Sequence, residues 1–570
     1  MKWPNYLKNR LVVFGGLGTA IAAICCFTPV LVWGAVALGL AGIVAYLDFV
    51  LLPLLAVALV VTYAGIRQVK KGHGAGRSEA PSVRSTPATP SGSPGDDRQG
   101  EDPPSETYDL VVIGGGSAAF AAAVKTSELG GRAVIVNSGL PIGGTCVNVG
   151  CVPSKTFVRA GESAYRARQT PFDGIRTEGG VSDFGAVSRQ TQALVRSLRQ
   201  EKYVDVVSGD PNVTIIEERA RIEAPHVVEV SGQQFQARNI LIATGARTYV
   251  PDIPGLTDAG YLTNEELYSL ERQPDHLIVL GGRYVALENA QAFARLGSRV
   301  TILQRSDRIL PSESADLTDA LTMYLRDEGI EVRTGVTTRA VRRDEGGIVV
   351  EIEMNGEERL VRGSHLLLAT GRQGNTDDLG LEALGIEIGP RGFLPVDDAL
   401  GTGAAHVFGA GDVIGEPMFV YTAAYEGALA ARNAMEDTQE ARDYAALPWV
   451  VFTDPQLAGV GLDETQATEA GIEIDVAKIS LENVPRSIAA RDTRGFIKLI
   501  RDRATDRLVG ARILAPEGSE LLMEVTLAIK HGITVRELTE SFHPYLTLSE
   551  GIKLAAISFN KDVRKLSCCA

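Results

Sequence analysis

The stretch that decides the reading of this chain is Gly143-Gly144-Thr145-Cys146-Val147-Asn148-Val149-Gly150-Cys151-Val152-Pro153-Ser154-Lys155. Its two cysteines have four residues between them, near enough on a helix for a short disulfide. The glycines and Thr145 ahead read as a loop that enters a helix. A thiol at a helix N-terminus meets the positive end of the macrodipole, which favours the reactive thiolate. Three readings suit these residues: a redox pair, two buried structural thiols, or half of a zinc site. Zinc needs further Cys or His ligands at short spacing, and none follow. A nucleotide-binding pattern precedes the pair, which favours the redox reading.

That pattern begins with a short apolar strand, Tyr108–Ile113, followed by Gly114-Gly115-Gly116-Ser117-Ala118-Ala119 and an Ala-rich helix. A Gly-x-Gly-x-x-Ala turn lets the backbone approach a pyrophosphate at a helix N-terminus. The next strand, Ala133–Val136, ends at Asn137, where an acidic residue commonly takes the ribose hydroxyls; asparagine also hydrogen-bonds a ribose. A second unit follows, with strand His276–Leu280, the turn Gly281-Gly282-Arg283-Tyr284-Val285-Ala286, and a helix to Leu296. Arg283 stands at the position of the central glycine. Strand Arg299–Leu303 then ends in Gln304-Arg305. A basic residue where NAD enzymes place a carboxylate favours the 2′-phosphate of NADPH.

The cysteine stretch resembles the redox-active disulfide segment of the pyridine nucleotide–disulfide oxidoreductase family, class I, and its wording is most similar to the mercuric reductase branch. Ala243-Thr244-Gly245-Ala246-Arg247, with Pro251 and Pro254-Gly255, resembles that family's second strand motif. Val407-Phe408-Gly409-Ala410-Gly411-Asp412 resembles its distal FAD motif, whose aspartate binds the ribityl chain, and Ala369-Thr370-Gly371-Arg372 closes the second unit. The resemblance implies an α/β fold with two Rossmann-like dinucleotide-binding domains and an α+β C-terminal dimerisation domain. The expected FAD-binding parts are 107–256 and 380–447, the NADPH-binding domain 257–379, and the dimerisation domain 448–570. It implies FAD contacts at Gly114, Gly116, Ala119, Asn137, Gly144, Thr145, Lys155, Thr244, Gly245, Gly411 and Asp412. NADPH contacts are expected at Gly281, Ala286, Arg305 and Gly371. The resemblance places Lys155 and Glu288 beside flavin and nicotinamide, Cys151 facing the flavin, and Cys146 as the outer thiol. It implies NADPH-driven reduction of Hg(II), delivered as thiolate complexes, to Hg(0). Tyr421 and Tyr545 match active-site tyrosines of the family.

Relatives that act on small disulfides carry His-x-x-x-x-Glu near the C-terminus, the histidine being the acid–base partner of the interchange thiol. Here the segment reads Phe542-His543-Pro544-Tyr545-Leu546-Thr547-Leu548-Ser549-Glu550, which puts Tyr545 at the histidine position and leaves His543 as a polar loop residue. A tyrosine, with an ordinary pKa of about 10, handles proton traffic poorly; transfer of electrons to a thiolate-bound metal makes less demand on a general acid. The chain ends in Cys568-Cys569-Ala570, similar to the mercury-handing tail of the mercuric reductases, which reaches the other subunit's active site in a homodimer. Two rivals remain at this stage: a dihydrolipoyl or glutathione-type disulfide reductase, and a mercury transporter whose attached body only binds metal.

From Leu11 to Ile66 the only charged residue is Asp48, a run too long for one membrane span of about 20 residues. Two spans are expected near 11–33 and 46–66. Lys2, Lys8 and Arg10 precede them and Arg67, Lys70 and Lys71 follow, so both ends face the cytoplasm. Residues 1–71 thus read as an all-α transmembrane hairpin, multi-pass in the inner membrane, with the catalytic body on the cytoplasmic side. Cys25-Cys26-Phe27-Thr28-Pro29-Val30 resembles the small two-span mercury transport proteins, which implies a dithiolate waypoint for Hg(II) at Cys25 and Cys26. Residues 72–106, rich in Gly, Ser, Pro and charge, read as a disordered tether of about 30–35 Å mean span. The net charge of −14 over 570 residues, with no basic stripe, excludes a nucleic-acid partner.

Overall fold

The computed structural model describes residues 107–562. The hairpin, the tether, and the pairs Cys25–Cys26 and Cys568–Cys569 lie outside the described residues. No helix among the described residues is long and apolar enough to cross a membrane.

The first unit opens with β1 (Thr107–Ile113), buried along most of its length, as expected of a central parallel strand covered on both faces. It continues through α1 (Ser117–Glu128), β2 (Ala133–Val136), α2 (Gly144–Val149), α3 (Cys151–Arg166) and α4 (Phe184–Arg199). Strands β3 (Val213–Ile216), β4 (Ala220–Ala224), β5 (Val227–Val230) and β6 (Gln233–Ile242) complete a sheet of order β3-β2-β1-β6-β5-β4, and β7 (Ala246–Thr248) leaves it. Strands β1, β2, β3 and β6 run parallel.

The second unit comprises β8 (His276–Leu280), α5 (Tyr284–Leu296), β9 (Arg299–Leu303), α6 (Ala315–Asp327) and β10 (Glu331–Arg333). An antiparallel excursion, β11 (Thr337–Asp344), β12 (Gly347–Met354) and β13 (Glu357–Gly363), returns the chain to β14 (His365–Leu368). The parallel sheet has order β10-β9-β8-β14. Strand β15 (Arg372–Gly374) pairs with β7, and β16 (Val407–Gly409) joins β6 of the first sheet in parallel. The first unit is therefore built from two separated stretches of chain. Helix α7 (Val420–Glu436) packs on α1 at Gly427, where a Cβ would fall 2.1 Å from the Ala118 carbonyl oxygen.

The last part is an antiparallel sheet, β17 (Trp449–Val451), β18 (Gln456–Gly461), β19 (Ile474–Ser480), β20 (Phe496–Asp502) and β21 (Leu508–Ala515), in the order β17-β18-β21-β20-β19. It shares one core with α8 (Gly518–Lys530), α9 (Val535–Glu540) and α10 (Glu550–Ile557).

One expectation needs correcting. The two cysteines do not share one helix, and Gly144 and Thr145 are not in the entering loop: Gly144–Val149 form the short helix α2, started by left-handed Gly143 (φ +95°). Gly150 (φ −126°, ψ −114°) breaks it, and α3 begins at Cys151. This break puts Cys151, not Cys146, at the first helical position. Helix α3 crosses α5 at Gly161, whose added Cβ would lie 2.9 Å from Ala292 O; nearby, Phe157 stacks on Phe293 with centroids 5.6 Å apart.

Candidate active site

Cys146 and Cys151 are free thiols, each part-buried, brought within hydrogen-bonding reach of one another by the α2–α3 break. The pair holds one proton tightly. The Cys146 thiol donates to Cys151, which lowers the Cys151 pKa and, with burial, pushes that of Cys146 far up. The Lys155 ammonium, one turn along α3, lowers Cys151 further, and its place at the helix start adds the dipole field. Of the two, Cys151 is therefore the sulfur on which the thiolate is favoured, and Cys146 the one that keeps the proton. Among the described residues no group of three or more His, Cys, Asp or Glu is arranged to hold a metal ion.

Lys155 lies between two partners. Its Nζ donates to Glu288 Oε2 at 2.6 Å and sits 4.6 Å from the centroid of the Phe452 ring. The other Glu288 oxygen accepts from the Phe452 backbone N–H at 3.0 Å. Glu288 is a buried residue of α5. This closed set joins α3, α5 and the start of the last domain and brings Lys155 and Glu288, both expected at the site, into direct contact.

The two nucleotide turns repeat one geometry. Gly114 (φ +127°) and Gly281 (φ +125°) would place a Cβ 2.1 Å from Ala243 O and 2.2 Å from Ala369 O respectively, so only glycine fits either turn. Gly115 packs on the Asn137 side chain, and Gly282 on that of Gln304. The position expected to be basic in the second unit is therefore the amide Gln304, equivalent to Asn137, with Arg305 one residue beyond it; Asn137 Nδ2 donates to Leu140 O at 3.0 Å. Arg305 is exposed just beyond β9. Arg283 caps α5 and pairs with Glu416 at 3.5 Å. Ala119 and Ala286 are buried on the inner sides of α1 and α5. Gly116 faces Gly144 (φ +59°), whose Cβ would fall 2.8 Å from Gly116 Cα, and Thr145 follows in the first turn of α2. Thr244 and Gly245 (φ +72°) are stitched to Asn375: Thr244 Oγ1 donates to Asn375 O at 2.6 Å, and Asn375 N to Gly245 O at 3.0 Å. Gly371 (φ +120°) accepts from Tyr249 N through its carbonyl at 3.0 Å. Among the described residues the Asp412 carboxylate has one ionic partner, Arg372 at 4.0 Å, and burial pushes its pKa up. A carboxylate in that state fits a partner bearing hydroxyls, such as a flavin ribityl chain.

Of the tyrosines, Tyr421 donates to Pro448 O and stacks on Phe419 at 5.2 Å. Burial, then the Cys151 charge, raises its pKa, which places it near the thiols. Tyr545 lies in the loop between α9 and α10, 53% exposed. Three features escaped the sequence reading. Tyr203, in a π-helical turn (Gln200–Val204), sets its ring against Gly143 and shares a 2.9 Å hydrogen bond with Ser117; burial and then the charges on Cys146 and Cys151 raise its pKa. Such turns recur at functional sites, but nothing in the residues 200–204 signals one. Glu426 on α7, fully buried, accepts from Gly411 N at 2.7 Å and from the Tyr444 hydroxyl at 2.5 Å, and so props up the turn that presents Asp412. His543 is the third: its side chain is not a free polar loop group but 6% exposed and paired with Glu524.

Residues 108–427 match the pyridine nucleotide-disulphide oxidoreductase family, 447–556 its dimerisation domain, and 28–71 the membrane transport protein MerF. The chain is 44% identical to a mercuric reductase of Streptomyces lividans over 81% of this chain and 98% of that protein. It is 42% identical to a mercuric reductase of Bacillus cereus, over 81% of this chain and 73% of the relative. Among solved structures, a Cu(II) complex of the HOCl-induced flavoprotein disulfide reductase RclA from Escherichia coli aligns with a TM-score of 0.71 at 30% identity, covering 80% of this chain and all of that one. LpdA from Mycobacterium tuberculosis aligns with a TM-score of 0.72 at 27% identity, covering 80% of this chain and 100% of its own.

Proposed function

Because the chain belongs to the pyridine nucleotide-disulphide oxidoreductase family, we propose that it is an FAD-dependent mercury(II) reductase driven by NADPH, with Cys146 and Cys151 as its working thiols. The observation that carries this reading is the thiolate–thiol pair at the start of α3, one turn from the Lys155–Glu288 ion pair. Its mercuric reductase relatives support the choice of substrate.

Gly114, Gly116, Ala119, Asn137, Gly144, Thr145, Thr244, Gly245, Gly411 and Asp412 would hold FAD, which when bound would supply an electron pair drawn from NADPH. The nicotinamide cofactor would lie along Gly281, Ala286, Arg305 and Gly371. The chain's own residues do the rest. Cys151 thiolate attacks a mercury–thiolate complex and displaces one ligand. Cys146 displaces the second ligand, which leaves with the Cys146 proton as a free thiol. Soft Hg(II) then sits between two sulfurs. It accepts the electron pair and departs as Hg(0), both cysteines are released as thiolates, and Cys146 regains a proton. Lys155 keeps Cys151 ionised throughout, and Glu288 keeps Lys155 in place.

Tyr421 and Tyr545 assist mercury in changing ligands, and Cys568 and Cys569 deliver it in a homodimer whose active sites are shared between subunits. The flavin is held by 107–256 and 380–447, NADPH by 257–379, and the dimer by 448–570. Residues 1–71 are read as a two-span hairpin in the inner membrane with the catalytic body in the cytoplasm, and Cys25 and Cys26 as the pair that passes Hg(II) inward; the MerF match over 28–71 supports the membrane association and begins just after the two cysteines. The test is mercury-dependent NADPH oxidation with release of Hg(0). Cys146→Ala and Cys151→Ala should each abolish it while FAD stays bound. Retention of more than a few per cent of turnover in both variants, or faster turnover with a small disulfide than with Hg(II), refutes the reading.

A further inference from the structure

We propose that His543, through its buried pairing with Glu524, is the positioning residue that fixes the loop carrying Tyr545 for mercury turnover; this rests on the part assigned to Tyr545 above. The loop runs from Ser541 to Ser549 between α9 and α10. His543 Nε2 lies 2.6 Å from Glu524 Oε1, on α8, and Nδ1 faces Ser541 O at 3.3 Å. The imidazole is 6% exposed, and a polar ring is buried at low cost only when its nitrogens find partners. Both nitrogens face oxygens of its own domain, so this imidazole is engaged within the fold.

The rest of the loop is tied around that anchor. Lys553 Nζ donates to Ser541 O at 3.1 Å, Thr547 Oγ1 to Pro544 O at 2.8 Å, and Leu546 N to Glu550 Oε2 at 3.3 Å. Leu546 has φ +62°, a conformation unfavourable for a leucine and kept only where the surroundings over-determine it. Pro544, next to the anchor, removes a backbone freedom before Tyr545. The outcome is a loop that buries its one histidine and turns out Phe542, Tyr545 and Leu546, which are 101%, 53% and 43% exposed. The inward ring thus sets which way the tyrosine faces.

The experiment uses the full chain with FAD bound and compares His543→Ala, Glu524→Gln, Tyr545→Phe and the double variant His543→Ala/Tyr545→Phe. Amide hydrogen exchange across 541–549 should quicken roughly 10–100-fold in His543→Ala, the range for losing a buried hydrogen bond to a charged group. Mercury turnover should fall by the factor seen for Tyr545→Phe, and the double variant should fall no further, as expected of residues acting through one another. Reduction of the bound flavin by NADPH alone should keep its rate. Unchanged loop exchange, full mercury turnover in His543→Ala, or losses that multiply in the double variant each overturn the proposal. If Tyr545→Phe is itself silent, the role of Tyr545 falls, and loop exchange alone decides the anchor. If His543→Ala does not fold, Glu524→Gln carries the same comparison.

Discussion

Glu288→Ala isolates the contact on which three parts of the structure converge. It leaves the Phe452 N–H without its acceptor, at a cost of about 1–3 kcal/mol for an orphaned donor. It also frees Lys155, whose side chain is 35% exposed, so the ion-pair loss is near the surface value of about 1 kcal/mol. The sum is about 2–4 kcal/mol. With an unfolding entropy of about 2.1 cal/mol/K per residue, the body at 107–562 has about 1 kcal/mol/K. Tm should therefore fall by about 2–4 °C, read by calorimetry on the FAD-loaded protein. Glu288→Gln keeps an oxygen for Phe452 N–H and loses only the charge, so its Tm should fall by about 1 °C. A second readout has an independent sign. The Glu288 carboxylate pushes the Cys151 pKa up, so its removal should extend the thiolate to lower pH. Alkylation of Cys151 by iodoacetamide, followed against pH, should begin at lower pH in both variants. Equal Tm losses in the two variants, or an alkylation profile displaced to higher pH, would refute the closed Lys155–Glu288–Phe452 arrangement.

Arg305→Asp should shift cofactor preference from NADPH towards NADH in the ratio of kcat/KM values, because a carboxylate near the ribose repels a 2′-phosphate; a wild-type enzyme that already prefers NADH would contradict the reading. Replacing Cys25 and Cys26 by Ser should leave mercury-dependent NADPH oxidation by the purified protein unchanged, yet slow mercury volatilisation by intact cells lacking other transporters. Replacing Cys568 and Cys569 should impair both, most when Hg(II) arrives bound to small thiols. Equal uptake by wild type and the Cys25/Cys26 variant would reduce the hairpin to an anchor.

The parts legible in the sequence are those whose constraint is local. Gly114 and Gly281 announce themselves because a backbone turn against Ala243 and Ala369 tolerates no Cβ, and the spacing of the turn is written along the chain. Lys155 and Glu288 were expected near one another through resemblance, and their 2.6 Å contact spans 133 positions. The α2–α3 break was missed because one glycine, Gly150, divides the single expected helix into two. Tyr203, Glu426 and His543 act through partners 86, 15 and 19 positions away respectively. Such pairings leave no periodicity, and each residue alone looks like an ordinary member of a helix or loop. His543 misled most, since a histidine beside a proline in a polar stretch gives no sign that its ring turns inward.

The crossing of α3 over α5 has a consequence for how such enzymes diverge. Cys151 and Lys155 ride on one helix, Glu288 on the other, and Gly161 against Ala292 sets how closely the two approach. The distance from Cys151 and Lys155 to Glu288 is therefore governed by side-chain volume at a spot with no chemistry of its own. Homologues should exchange small residues at 161 and 292 in compensating pairs while leaving 151, 155 and 288 alone. A laboratory lineage selected for activity after Gly161→Ala should recover by trimming the facing helix or the Phe157–Phe293 stack, not by altering the reacting groups.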